Sequence, residues 1–127
     1  MKFKYPRIQG WQDAEKNFLQ IEVETTPKWV AVTHENSWVD YGSGYQGAEY
    51  WKDNNGFVHV RGFVKTGTPP STVFTLPTGF RPKNKEVFAV IAYGTVGQVD
   101  VDTDGTVDVI AGSSTYTSLS GITFAAV

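Results

Sequence analysis

The sequence predicts an all-β fold, an antiparallel β-sandwich of jelly-roll-like form with a short N-terminal arm or stem. Short runs rich in β-branched and aromatic residues alternate with turn residues, which is the pattern of strands joined by tight connections. The 13 glycines and 6 prolines are spread along the chain, and aromatic residues make up 14% of it. A length of 127 residues is that of one domain with one core.

The N-terminal segment differs in character from the remainder of the chain. It mixes charged residues with Phe18, Leu19 and Ile21, and it could form a short helix or an extended arm. Pro27 ends it, because proline disfavours helix at the preceding residue. We therefore expect an arm or stem at 1–28 and a β-sandwich head at 29–127. Within the head the runs expected to be strands are 29–33, 46–52, 57–65, 72–76, 86–93, 97–102, 106–111 and 121–126.

Charge and composition exclude several classes of function. The net charge is −2, and no run of Lys and Arg could follow a phosphate backbone or an anionic membrane surface, so we expect no nucleic-acid partner. No stretch approaches the roughly 20 apolar residues of a membrane span, and the N-terminus lacks the apolar region of a secretory signal. Without cysteine the chain has no disulfide and no thiolate metal site, which suits synthesis in a reducing cytosol.

The loop 54–56 predicts a β-hairpin between two of the expected strands. This register sets Glu49 opposite Arg61, so that opposite charges pair across the strands. Trp51 and His59 would then share the solvent-facing side with the ion pair. A tryptophan exposed at that position would be a binding feature.

A second hairpin is predicted at 99–109. A turn of two residues would set valines opposite acids, whereas the loop 103–105 pairs valine with valine and leaves one apolar and one acidic face. We prefer the second register, which places Asp100 directly opposite Asp108, with Asp102 on the same face. Like charges at that distance are destabilising. A divalent cation, a solvated acidic face, or a Lys or Arg from a neighbouring subunit would offset them.

Motif-like segments run in order from residue 37 to residue 124. They are SWVDYGSGY (37–45), YWKD (50–53), GFVHVRG (56–62), VK (64–65) with Gly67, FTLPTGFRP (74–82), GQVDV (97–101), GTV (105–107) and LSGITF (119–124). Together they resemble a module at the C-terminal end of phage tail fibres and baseplate receptor-binding proteins of Gram-positive hosts. FTLPTGFRP is similar to that family's LPxGxRP segment.

This resemblance implies a function and an assembly. It implies a β-sandwich head, commonly a homotrimer, that attaches the virion to a host cell-wall saccharide or another surface polymer. The location would be the virion, at the phage tail tip, and the other partners would be phage tail proteins. Because receptor pockets vary between phages, the resemblance itself assigns no site residues.

Candidate binding residues therefore come from side-chain chemistry. Saccharide binding needs aromatic faces against the sugar ring and planar polar groups for its hydroxyls, held on a preformed surface. Several aromatic residues, Tyr41 among them, lie in expected loops or on hairpin faces and could supply such ring faces. The residues expected to contact a ligand are Trp38, Tyr45, Trp51, His59, Arg61, Tyr93 and Tyr116.

We expect no enzyme activity, no cofactor and no metal. No Gly-x-Ser-x-Gly turn is present, and His34 and His59 are the only histidines, neither at a familiar metal-binding spacing. Two alternatives stay open. The chain could be a structural baseplate or tail component docked through residues 1–28, or a tail enzyme that cleaves polysaccharide with a carboxylate pair.

Overall fold

The computed structural model describes residues 26–127, which form strands and connecting loops. Most of the expected arm at 1–28 lies outside the described residues, so its boundary stays a prediction. Within the described part no helix is long and apolar enough to cross a membrane. The strands are β1 (Val30–Ala31), β2 (Val39–Asp40), β3 (Glu49–Lys52), β4 (Phe57–Arg61), β5 (Phe63–Lys65), β6 (Ser71–Thr75), β7 (Glu86–Ala92), β8 (Thr95–Val101), β9 (Thr106–Ala111), β10 (Thr117–Ser118) and β11 (Ile122–Ala125).

The strands form three antiparallel sheets around one core. Sheet 1 has the order β1-β3-β4-β11, sheet 2 the order β10-β5-β2, and sheet 3 the order β6-β9-β8-β7. The predicted all-β, sandwich-type fold is confirmed. Every predicted run overlaps at least one strand, but the short strands β2 and β10 were not predicted.

Gly62 divides the predicted run 57–65 between two sheets. Its φ is +123°, and a Cβ at this position would lie 2.4 Å from the carbonyl oxygen of Gly47. Only glycine tolerates both the positive φ and the close backbone approach. The chain therefore passes from β4 in sheet 1 to β5 in sheet 2 without a loop.

Both predicted hairpin registers are confirmed. In the first, Glu49 lies opposite Arg61; in the second, Val101 lies opposite Val107. The three-residue loops end at glycines with φ near +90°, namely +87° at Gly56 and +91° at Gly105. This left-handed conformation is the one that a three-residue hairpin loop requires at its last position.

Trp38 belongs to the core, and its prediction as a ligand contact is wrong. The side chain is 1% exposed, and its Nε1 donates a hydrogen bond to Ser71 Oγ at 2.8 Å. Gly67 packs against the indole so closely that a Cβ there would lie 2.0 Å from the ring. The polar residues near Trp38 in the sequence suggest an exposed loop. Ser37 and Asp40 are indeed exposed, but the indole between them turns into the core.

Candidate functional site

A row of four side chains points away from the core along β4 and β5. Burial alternates from residue 57 to residue 65, with the residues between these four buried. This alternation continues through Gly62, although the two strands belong to different sheets. At about 3.3 Å per residue the row is at most about 20 Å long. We call it the outward row; its members are His59, Arg61, Phe63 and Lys65.

Aromatic rings flank the first half of the row on sheet 1. Trp51 stacks on His59, with ring centroids 5.5 Å apart and planes 23° apart. Trp29 lies beside Trp51 at 6.1 Å, and the guanidinium of Arg61 covers the Trp29 ring at 3.9 Å. Stacking of this kind holds a cation and rings in set orientations. We call this group, Trp29, Trp51, His59 and Arg61, the tryptophan end.

Carboxylates orient the polar groups of the tryptophan end. Arg61 donates from Nε and Nη2 to Glu49 Oε1, at 3.0 and 2.7 Å, and Gln46 Nε2 donates to the same oxygen at 3.2 Å. On the other side, His59 Nε2 lies 2.8 Å from Asp53 Oδ2. All five of these bonded residues are partly solvent-accessible or exposed. They can therefore meet a ligand in orientations that are already set.

Asp53 also stabilises the hairpin loop beneath this site. Its Oδ1 accepts hydrogen bonds from the backbone N–H groups of Asn55 and Phe57, each at 2.9 Å. The hydrogen bond with His59, followed by the one from the Phe57 N–H, lowers the pKa of Asp53 below its ordinary value. Bonds that favour the charged form of a carboxyl have this effect. Asp53 is therefore an anion at neutral pH and keeps His59 in place beside Trp51.

Four tyrosine rings cluster around Phe63, which lies in the second half of the row on sheet 2. Tyr45 contacts Tyr41 at a centroid distance of 4.8 Å and Phe63 at 5.2 Å. Tyr116 contacts Phe63 and Tyr41, each at 5.7 Å, and Tyr93 at 5.8 Å. Most of these contacts are edge-to-face, the arrangement that aromatic pairs prefer. We call these residues, Tyr41, Tyr45, Phe63, Tyr93 and Tyr116, the tyrosine end.

The tyrosine end offers exposed rings and hydroxyl groups to solvent. Tyr45 is 54% exposed and Tyr93 is 62% exposed. None of the four phenolic hydroxyls has a hydrogen-bond partner within residues 26–127. Lys65 Nζ lies 5.3 Å from the centre of the Tyr41 ring and is the cation of this group. These hydroxyls can both donate to and accept from a ligand.

The structure thus brings six of the seven predicted residues into two adjoining groups. Trp51, His59 and Arg61 meet at the tryptophan end, and the three predicted tyrosines meet at the tyrosine end. Sequence reasoning missed Trp29 and Phe63 as members. Phe63 could have been found from its spacing, since it follows Arg61 by two residues in one predicted run. Trp29 has no such signal, because its position depends on the pairing of β1 with β3.

The predicted acidic pair on sheet 3 is stabilised within the chain. Asp100 lies opposite Asp108 and is only 7% exposed. Gln98 Nε2 donates to Asp100 Oδ1 at 2.9 Å, and Thr72 Oγ1 donates to Asp108. Among residues 26–127 no three His, Cys, Asp or Glu side chains form a group that could hold a metal ion.

Apart from this acidic pair and Gln98, the outer face of sheet 3 is largely apolar. Large aliphatic side chains of β7, β8 and β9 point to solvent, with Val96 75% exposed and Val87 60% exposed. A shallow depression of about 340 Å³ lies between them. Contiguous apolar surface of this kind marks an interaction site more often than a solvated face. The apolar face consists of Val87, Ala89, Ile91, Val96 and Ile110.

A comparison with solved structures finds a similar chain. It is the receptor binding protein (gp15) of Listeria phage PSA, which matches with a TM-score of 0.71 and 23% sequence identity. The match covers 97% of this chain and 80% of that one. This chain has the fold of a phage receptor-binding protein. The predicted resemblance is therefore confirmed in fold, although no family model and no curated protein matches the sequence.

Proposed function

We propose that this chain is the receptor-binding domain of a phage tail and attaches the virion to a saccharide of the host cell wall. The observation that carries the proposal is the fold, since the solved chain with which it shares that fold is named a receptor binding protein. That name describes binding and not catalysis. The domain would be made in the host cytoplasm and would act at the tip of the tail.

The chemistry of the tryptophan end supports a saccharide as the ligand. Trp51 supplies a flat apolar face, and a sugar ring has an apolar face of its own formed by C–H groups. Arg61, Glu49 and Asp53 supply planar groups whose donors and acceptors match neighbouring hydroxyls. Trp51, Arg61 and Glu49 lie on paired strands, which hold a binding site in one geometry better than loops do. Asp53 directly follows β3 and is held by its hydrogen bonds to the hairpin loop.

We propose further that the domain is a homotrimer that associates through the apolar face of sheet 3. The exposed aliphatic side chains of β7 and β8 support this proposal, because burying them between subunits removes apolar surface from water. Association would also cover the edge of sheet 3 formed by β7, which lacks a partner strand in the described chain. Three linked sites would raise a weak saccharide affinity by multivalency.

The test is binding of the fluorescently labelled full chain to a panel of Gram-positive cells, Listeria included, and to their isolated wall polysaccharides. We expect saturable binding to some strains, competed by one polysaccharide and lost in Trp51→Ala. Lys83→Ala is the matched control, because Lys83 is exposed and lies outside both groups. Binding by Trp51→Ala equal to that of the native chain would move the site away from the tryptophan end.

Two other outcomes would overturn the adhesion function itself. Binding to purified phage tail proteins, with no fluorescence on any cell or wall polysaccharide of the panel, would make the chain a structural tail component. Release of sugar fragments from a bound polysaccharide would make it an enzyme, with a carboxylate pair as the catalytic groups.

A further inference from the structure

We infer that the site takes an internal stretch of a glycan chain, several sugar units long, laid along the outward row from the tryptophan end to the tyrosine end. The inference rests on the proposed function and names the form of its ligand. A site for one terminal sugar would need only a single aromatic platform and its polar neighbours. This chain instead has two such groups, and one extended segment of backbone joins them.

The two ends are joined rigidly. Arg61 and Phe63 are separated by Gly62 alone, so their Cα atoms are at most about 7 Å apart. A second segment runs beside the first: the carbonyl oxygen of Gln46 accepts a hydrogen bond from the Phe63 N–H at 2.9 Å. The side chain of Gln46 reaches the other way, to Glu49. A ligand that touches both ends therefore meets a surface whose two halves keep a constant spacing.

The two ends differ in chemistry, which suits neighbouring units of a polymer. The tryptophan end combines ring faces with charged, hydrogen-bonded groups. The tyrosine end has rings, phenolic hydroxyls that lack partners within residues 26–127, and the single ammonium of Lys65. Because the hydroxyls donate and accept, they can meet sugar hydroxyls in either sense. A long ligand gains contacts at both ends for one loss of translational and rotational freedom.

The test measures affinity against ligand length. Wall polysaccharides from the Gram-positive panel are partially hydrolysed and separated by size, and each fraction is titrated by calorimetry against the full chain. The variants are Trp51→Ala, Tyr45→Ala and Tyr45→Phe, with Lys83→Ala as the control. Tyr45 is suited to this test because it is exposed, so its replacement leaves the core intact.

We expect affinity to rise with fragment length until a fragment spans both ends. Tyr45→Ala should weaken the longest fragments about tenfold, the loss expected when one aromatic contact is removed. The same variant should leave the single sugars unchanged, whereas Trp51→Ala should weaken every fraction. Tyr45→Phe keeps the ring, so it separates ring stacking from hydrogen bonding.

Each contrary result has a distinct meaning. Single sugars that bind as tightly as long fragments would overturn the extended site and leave the adhesion function standing. A rise with length that Tyr45→Ala does not reduce would do the same, because bridging between subunits would then explain the rise. If no fraction from any wall binds, the proposed function and this inference fall together.

Discussion

Replacing Trp38 by alanine tests whether this residue belongs to the core or to the binding site. The indole is almost completely buried, donates a hydrogen bond to Ser71 and packs closely against Gly67. Truncation of a buried Trp to Ala costs about 3–5 kcal/mol. The free energy of unfolding of a domain of this size is about 5–15 kcal/mol. The variant should therefore lose a large part of its stability and stay folded only at low denaturant concentration.

Urea unfolding followed by far-ultraviolet circular dichroism measures this loss. With a slope of about 2 kcal/mol per molar urea, a loss of about 4 kcal/mol lowers the midpoint by about 2 M. Trp51→Ala is the matched control, because Trp51 is half-buried and loses only ring contacts of about 1 kcal/mol. A Trp38→Ala midpoint within about 0.5 M of the native one, together with lost glycan binding, would refute the assignment of Trp38 to the core.

Three further predictions concern the backbone, the first hairpin and the apolar face. In thermal unfolding, Gly62→Ala should destabilise the domain by more than about 2 kcal/mol, because Gly62 has a positive φ and an added Cβ would clash with the backbone. Gly42→Ala is the control: Gly42 also has a positive φ but lies in open space, so this variant should lose only about 1 kcal/mol of stability. The pKa of Asp53 is lower in the folded chain than in the unfolded one, so the ionised carboxylate stabilises the folded state. This contribution to stability is present above about pH 4 and is lost as pH falls through the native pKa of Asp53. The drop in urea midpoint from neutral to acid pH should therefore be smaller in Asp53→Asn than in the native chain. An equal drop in both proteins would contradict the role of Asp53. Val96→Asp should convert a trimer to monomers in light scattering with unchanged circular dichroism, and a native chain that is already monomeric would contradict the trimer.

The hairpins show how far local sequence rules reach in this protein. Glycine at the end of each loop and the alternation of valine with polar residues select one register, because a shift by one residue would turn every side chain to the opposite face. The pairing of Glu49 with Arg61, and of Trp51 with His59 on the outer side, follows from that register. These parts of the site were accessible from sequence because they depend on neighbours within one hairpin.

The tyrosine end shows where local rules stop. Tyr45, Tyr93 and Tyr116 lie in separate loops, and each of them was predicted on its own chemistry. Their convergence around Phe63 depends on which loops meet at the end of sheet 2, a matter of strand order that residue patterns do not contain. Sequence could therefore name the residues but not the surface they make.

What the sequence determined by itself is the all-β fold, the two hairpin registers and most of the aromatic and polar residues of the site. These follow from side-chain periodicity and turn chemistry, which act over a few residues. Only the tertiary structure decided that Trp38 is core, that Trp29 joins the site, and that the two ends share one outward row. The physical reason is that burial and contact between distant segments depend on how the three sheets close on one core. Even at Gly62, where the chain passes from one sheet to the next, the local sequence does not indicate the change of sheet.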